Sequence, residues 1–346
     1  MKKVHPLVSV NMVVYNGEQY ISEAIESILN QTYQNIELII VNDGSQDKTK
    51  EIIFSFEDSR IKYYEHTINK GECAARNIAL NFSNGKYIAV MDCDDISYSN
   101  RIENQIEFLE KYPQFGLVGS LADVIDENGQ LTDRIQSYSG NDKLTKIILF
   151  FRNCFTHSTI IFKRQLLNKV GINYNRPIGV DYETIVKISR CAKIMNLNKV
   201  LIKTRHHPDS ILKRDSDKIV CNLKEILKNQ INELGLYPSE EELDIHFTMK
   251  KNTLNKCDRI FYKKVKWLEK LYIANKKSQI FAVPEFTEYL SQYWFNLINN
   301  PDQFSLRLFV NYIRSPFLLK SNKNGLDHLR YFIKCIIGYR NKNENE

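Results

Sequence analysis

From Leu7 to Asp95, short apolar runs alternate with segments whose apolar residues recur at helical spacing, an order that predicts an α/β fold around a mainly parallel sheet. Val8 to Tyr15 is a dense β run. Over 19–32, Ile21, Ala24, Ile25, Ile28 and Leu29 fall at i, i+3, i+4, i+7 and i+8, the stripe of a helix laid on a sheet. A second strand is expected over 36–41, ending at Asn42-Asp43-Gly44-Ser45, and a helix over 48–56. A third strand, 61–66, leads through Asn69-Lys70-Gly71 into a helix reaching Leu80. The fourth, Tyr87 to Met91, runs into Asp92-Cys93-Asp94-Asp95.

Beyond this point the pattern is less regular. A helix is expected over 101–111, strands over 116–125, 158–162 and 199–204, and a turn at Asp126-Glu-Asn-Gly129. From about Asp215 the strands stop. A helix over 217–234 should end at Gly235, and Pro238-Ser239-Glu-Glu-Glu242 has the capping-box form for the next one. Helical patterns continue over 286–298, 306–313 and 326–337. The expected division is a catalytic α/β domain over 1–215 and a helical region over 216–346, without internal repeats.

At 346 residues and 43% hydrophobic content, the chain can bury one large core and a smaller one. No run approaches the roughly 18 apolar residues of a membrane span, and Met1-Lys-Lys-Val-His-Pro6 lacks the apolar stretch of a signal peptide. A cytoplasmic location is the expectation. Seven scattered cysteines, none spaced Cys-x-x-Cys, suggest reduced thiols and neither a disulfide framework nor a zinc site. The formal charge of +7 is uneven: +1 over 1–215 and +6 over 216–346. That asymmetry fits either an anionic surface or a set of solvated helix faces. With no nucleic-acid motif and no dense basic patch, nucleic acid is not an expected partner.

Acids at the carboxyl end of a buried strand cost free energy unless solvated, paired or bound to a cation, so packing does not account for Asp92, Asp94 and Asp95. In an open α/β sheet the strand ends at Tyr15-Asn16-Gly17-Glu18, at Asn42 to Ser45 and at the acids face one crevice. Neither Gly-x-Gly-x-x-Gly nor a P-loop is present. An Asp-x-Asp pair offers carboxylates to Mg²⁺ or Mn²⁺, whose shell is usually completed by substrate phosphates. A phosphatase of the haloacid-dehalogenase type would place such acids on the first strand, whereas here they end the fourth.

Val8-Ser-Val-Asn-Met-Val-Val-Tyr-Asn16, Ala24-Ile-Glu-Ser-Ile-Leu-Asn-Gln-Thr-Tyr33 and Glu37-Leu-Ile-Ile-Val-Asn-Asp-Gly-Ser45 together resemble the amino-terminal signature of family-2 glycosyltransferases with the GT-A fold. Asn69-Lys-Gly71, Ala75-Arg-Asn77 and Asp92-Cys-Asp-Asp95 continue the resemblance in order, over residues 7 to 213. The resemblance implies that Val13 and Tyr15, with Glu18 close by, border the nucleotide base and that Asp43 accepts a hydrogen bond from the uracil imide. It puts Lys70 and Arg76 on the donor side, Asp92 near the ribose, Asp94 on the metal and Asp95 toward the sugar or the acceptor. The family usually has Asp-Asp-Gly-Ser where this chain has Asn42-Asp43-Gly-Ser; base binding is expected to survive that change.

Inverting transfer needs a carboxylate that takes the proton of the attacking hydroxyl. In Gly179-Val-Asp-Tyr-Glu183 the resemblance puts Asp181 at that position; capping of the following helix is an alternative role for the same side chain. Thr204-Arg-His-His-Pro-Asp-Ser210 resembles the family's Arg-x-His-x-x-Ser ending, which makes His207 a metal or diphosphate contact unless it is an exposed turn residue. His157 occupies a position near the acceptor in relatives. The implied protein is an inverting glycosyltransferase dependent on Mn²⁺ or Mg²⁺. It would move a hexosyl or N-acetylhexosaminyl group from a UDP-sugar to a glycan or lipid-linked glycan hydroxyl in surface-polysaccharide synthesis. A non-catalytic nucleotide-sugar or glycan-binding protein on the same fold is the alternative, and it could dispense with Asp181.

In the last third, Phe286, Tyr289, Leu290, Tyr293, Trp294, Leu297 and Ile298 form an aromatic-rich helical face, more often core than functional surface. Basic residues interleaved with apolar ones over 306–340 are compatible with peripheral contact with an anionic bilayer at the inner face of the cytoplasmic membrane.

Overall fold

The computed structural model describes residues 5–135, 140–172, 174, 180–207, 216–249, 258–298 and 317. The expected alternation is present in the first half: β1 (Val8–Val14), α1 (Ile21–Leu29), β2 (Ile36–Asn42), α2 (Thr49–Phe54), β3 (Ile61–Glu65), α3 (Glu72–Phe82) and β4 (Tyr87–Asp92). It continues through β5 (Ile96–Ser97), α4 (Arg101–Lys111), β6 (Phe115–Ile125), β7 (Leu131–Ile135) and α5 (Asp142–Phe151). A 3₁₀ turn at His157–Thr159 precedes β8 (Ile161–Lys163), α6 (Leu166–Val170), α7 (Val180–Cys191) and β9 (Lys193–Arg205).

The strands form one mixed sheet in the order β3-β2-β1-β4-β8-β6-β9-β5, with β7 added on β6. β1 to β4 are mutually parallel, whereas β8 runs antiparallel to both β4 and β6. The chain order turns back between β1 and β4, which opens a crevice at their carboxyl ends. Register places Val13 level with both Val41 and Asp92, so the polar strand ends meet as neighbours.

Period-two alternation explains the layers. Val8, Val10, Met12 and Val14, with Leu38 and Ile40, face Ile21, Ala24, Ile25 and Ile28 of α1 and Ile102, Ile106 and Leu109 of α4 in one buried cluster. The opposite parity, Ile39 and Val41, packs on Ala75 and Ala79 of α3. Arg101 lies within the first layer, 0% exposed: its guanidinium donates to the Val90 carbonyl at 2.8 Å and to Gln105 Oε1 at 3.1 Å. Burial pulls its pKa down to about 9 despite the opposing pull of Asp95 and Asp92.

The differences from expectation are mostly short elements. Residues 158–162 divide into the 3₁₀ turn and the three-residue β8, and the 199–204 strand begins at Lys193, with irregular register against β6. Strands of two or three residues, such as β5 and β8, have no room to display a period.

Contact clustering divides the chain into two units, Met1–Thr145 with Asn153–Asn222, and Lys146–Arg152 with the chain from Leu223 onward. The second contains α8 (Ser216–Glu233) from residue 223, then α9 (Glu240–Thr248), α10 (Asp258–Ser278) and α11 (Val283–Ile298). Gly235, at φ +77°, follows α8, and the capping box at Ser239 and Glu242 is formed in both directions. Phe286, Leu290, Tyr293, Trp294 and Leu297 are buried, so the aromatic face is core. Helix α10 was not anticipated. The expected helices over 306–313 and 326–337, and the basic segment proposed for a bilayer, lie outside the described residues. Among the described residues no helix is long and apolar enough to cross a membrane.

His246 makes the stability of this second unit depend on pH. Its ring is buried; Nε2–H donates to the Phe150 carbonyl at 3.0 Å, and Nδ1 accepts the Trp267 indole N–H at 3.2 Å. A proton on Nδ1 would meet that N–H, and burial lowers the pKa from 6.5 to about 4. Between these values the unfolded chain binds a proton that the folded chain refuses. Stability present above pH 6.5 is therefore lost as the pH falls toward 4, by about 3 kcal/mol in all. Both tryptophans, Trp267 and Trp294, belong to this unit. The urea midpoint followed by their fluorescence should fall between pH 7.5 and 5; an unchanged midpoint would contradict the assignment.

Candidate active site

The crevice is walled by loops that bind one another. Asn16, at φ +51°, donates its backbone N–H to Ser45 Oγ at 2.9 Å and accepts the Gln46 N–H on Oδ1 at 2.9 Å. Glu18 N–H bonds Asp47 Oδ2 at 3.0 Å, and Glu18 Oε2 accepts the Lys48 N–H at 2.9 Å. The Glu18 carboxylate thus joins the two loops. Tyr15 is left 48% exposed at the rim, and Val13 lies half-buried beside Asp92.

Asp43 is also used by its own chain. It is 1% exposed, and its oxygens take the Lys70 N–H at 3.0 Å, the Gly71 N–H at 2.8 Å and His66 Nδ1 at 2.6 Å. A carboxylate accepts about four hydrogen bonds, so roughly one position remains for a uracil imide. Gly44 makes the close approach of this loop feasible: at φ +76°, a Cβ there would stand 2.6 Å from the Ile68 carbonyl carbon. The backbone of Lys70 is held while its side chain stays exposed.

At the end of β4 the three acids divide. Asp92 receives Arg76 Nη2 at 3.1 Å, His157 Nδ1 at 3.1 Å and Ser158 Oγ at 2.8 Å. Burial alone would raise its pKa, but His157, Arg76 and Ser158 hold it far below the carboxylate range. Arg76, bound to Glu72 at 2.8 Å as well, keeps its charge against burial through Glu72 and Asp92. Asp95, for which the resemblance implied the sugar or acceptor side, lies at the inner end of this cluster. It is 3% exposed, accepts the Arg205 N–H at 2.9 Å and touches Ser158 Oγ. Burial, Asp94 and Asp92 raise its pKa well above the usual value. The single hydroxyl proton of Ser158 can serve only one of the two carboxylates, Asp92 or Asp95, at a time. His157, expected on the acceptor side, is joined through Nδ1 to the Asp92 cluster.

Asp94 points outward to His207, Oδ2 to Nε2 at 3.0 Å. Burial and the charge of Asp92 raise its pKa, with His207 opposing. Arg205 braces this turn: Nε donates to the Asp94 carbonyl at 2.9 Å, Nη2 to Glu23 at 2.5 Å, and the guanidinium lies 4.4 Å from the Tyr20 ring centroid. His207 also leans on Tyr20, with ring centroids 5.2 Å apart. A carboxylate oxygen and an imidazole nitrogen sharing a proton are a donor pair that suits a divalent cation once that proton leaves. Among the described residues no group of three His, Cys, Asp or Glu side chains is assembled for a metal. Further ligands would come from diphosphate and water.

Asp181 lies in the first turn of α7, which begins at Val180, and so does not occupy the cap position. Its Oδ2 accepts Asn153 Nδ2 at 3.1 Å. Nearby, the Tyr174 phenol is pushed up to about 12 by burial, with Arg76 opposing and Asp181, Glu72 and Asp92 adding. Asn77 clamps the Tyr174 backbone, accepting its N–H at 2.8 Å and donating to its carbonyl at 2.7 Å. Ser158, Asn153 and Tyr174 escaped the sequence reading. No spacing rule links Asn153 and Ser158 to acids 28 and 66 positions away.

The sequence model described as "Glycosyl transferase family 2" matches residues 9–171. An uncharacterized glycosyltransferase of Haemophilus influenzae is 31% identical over 290 residues, covering 78% of this chain and 89% of that protein. The chain belongs to glycosyltransferase family 2. A second glycosyltransferase relative, from Methanocaldococcus jannaschii, is 34% identical over 205 residues, 58% of this chain and 71% of its own. A longer Rickettsia felis glycosyltransferase is 34% identical over 219 residues, and the match spans 61% of this chain and 36% of that one. Among solved structures, residues 1–349 of S. aureus TarS in complex with UDP-GlcNAc match with a TM-score of 0.57 at 16% identity, covering 96% of this chain and 92% of that one. This likeness establishes the GT-A fold of the glycosyltransferase.

Proposed function

We propose that this glycosyltransferase performs inverting, metal-dependent transfer from a UDP-sugar to a hydroxyl of a glycan or lipid-linked glycan in surface-polysaccharide synthesis. One observation above all supports the reading: at the β1/β4 switch point an ionised Asp92 and an outward Asp94–His207 pair adjoin the loops at Asn16 and Asp43, and Asn153, which bonds Asp181, begins the segment whose His157 and Ser158 bond Asp92. The UDP complexes of TarS, a protein of the same fold, favour uracil as the base.

In the proposed reaction the Asp181 carboxylate takes the acceptor's hydroxyl proton as that oxygen bonds to the anomeric carbon. The bond from that carbon to the diphosphate breaks, and its electron pair leaves with the nucleoside diphosphate. A divalent ion held by Asp94 and His207 would supply positive charge against the departing diphosphate. Lys70 adds an exposed ammonium on the donor side, while Arg76 acts inwardly as the counter-ion that keeps Asp92 ionised and in place. A single base without a partnered acid separates this scheme from glycoside hydrolysis.

The test is nucleoside-diphosphate release from UDP-, GDP- and dTDP-sugars with Mn²⁺ or Mg²⁺, beside donor affinity by calorimetry. Release from a UDP-sugar should disappear with EDTA and fall by about 100-fold or more in Asp94→Ala, since that variant loses both a ligand and charge at the diphosphate. Absence of both binding and release across the panel would reject the donor site. Binding without release, even with glycan acceptors added, would favour a non-catalytic nucleotide-sugar-binding protein.

A further inference from the structure

Asp181 needs a fixed orientation to receive a proton, and the segment just after α5 provides one. Asn153 Nδ2 donates to Asp181 Oδ2 at 3.1 Å, while Asn153 Oδ1 accepts the Phe155 N–H at 3.0 Å. These two contacts demand opposite character from the two ends of the carboxamide, so its orientation is determined by its partners. The backbone that locks it continues into the 3₁₀ turn carrying His157 and Ser158, both bound to Asp92. A stretch of six residues therefore holds the acid on the donor side and the acid of α7 in one frame.

We propose that Asn153 is a positioning residue for the transfer: its carboxamide occupies Asp181 Oδ2 and leaves Oδ1 to receive the acceptor's proton. The inference rests on the reading of Asp181 as the base. Asn153 touches neither donor nor acceptor in this scheme. Its effect falls on turnover and not on donor binding, because a base misplaced by a fraction of an ångström still leaves the nucleotide pocket intact.

The experiment measures UDP release from UDP-GlcNAc with Mn²⁺ and enzyme in excess, together with UDP-GlcNAc affinity and thermal midpoint. It compares wild type, Asn153→Ala, Asn153→Asp, Asp181→Asn and the Asn153→Ala/Asp181→Asn double variant. Asn153→Ala should slow release by about 10- to 100-fold with affinity within about twofold of wild type. Asn153→Asp, of the same size, should lose at least as much, because a second carboxyl beside Asp181 replaces a donor by a like charge. In the Asp181→Asn background, Asn153→Ala should cost nothing further, since the group it positions is gone. A wild-type rate in Asn153→Ala, or an equal loss on the Asp181→Asn background, overturns the inference. If Asp181→Asn itself releases UDP at the wild-type rate, the base assignment fails and the inference with it. A slow Asp181→Asn beside a fast Asn153→Ala overturns the positioning role alone.

Discussion

Asp181→Asn should lower turnover by on the order of 10³-fold while donor affinity stays within about twofold. The substitution keeps size and removes only the capacity to take a proton. The carboxylate stands in the first turn of α7, where the helix dipole favours negative charge, and it is joined to Asn153. Donor-side groups are untouched: Asp92 retains Arg76, His157 and Ser158, and Asp94 retains His207. A general base contributes typically 10² to 10⁴ in rate, so a loss below about tenfold would place the proton elsewhere. Single-turnover rates beside calorimetric donor affinity check the split. Equal loss in both would make Asp181 a donor-binding group instead.

The second large effect is structural. Arg101→Met should destabilise the first unit by about 3 kcal/mol or more, although methionine is apolar and the site is buried. The guanidinium satisfies the Val90 carbonyl and Gln105 Oε1, and Gln105 in turn donates to the Thr159 carbonyl at 2.7 Å. Removing the hub strands acceptors that water cannot reach. It also removes the positive charge facing Asp92 and Asp95 from within the layer. Arg101→Lys should recover only part of the loss, since one ammonium lacks the fork that reaches two acceptors. Urea unfolding followed by far-ultraviolet circular dichroism measures this, and a Met variant within about 1 kcal/mol of wild type would show that the hub is dispensable.

The first four strands and their helices were legible because each repeats a simple physical demand. Ile21, Ala24, Ile25 and Ile28 must share a face, and Val8, Val10, Met12 and Val14 must meet it. The acids were legible for the opposite reason: nothing about packing asks for Asp92, Asp94 and Asp95. What could not be read was how each acid is spent. Asp43 looks like a ligand for a base in sequence, yet His66, Lys70 and Gly71 occupy most of its capacity. Asp95 looks like its neighbours, yet Arg205, from more than a hundred positions downstream, and Ser158 take it inward. Such partnerships depend on tertiary placement of β8 and β9, which no local period encodes.

The placement of β8 between β4 and β6 also sets a schedule for assembly. Asp92 leaves the ribosome 66 residues before Ser158, an interval of roughly 3 to 13 s at ordinary elongation rates. Throughout that interval the parallel β1-to-β4 core can already collapse, but its acids have only solvent, Arg76 and Arg101 to answer them. The crevice is therefore finished from the far side, first by the turn before β8 and then by the end of β9, and a chain halted before residue 157 would possess the parallel strands without the partners that His157, Ser158, Arg205 and His207 bring to the acids.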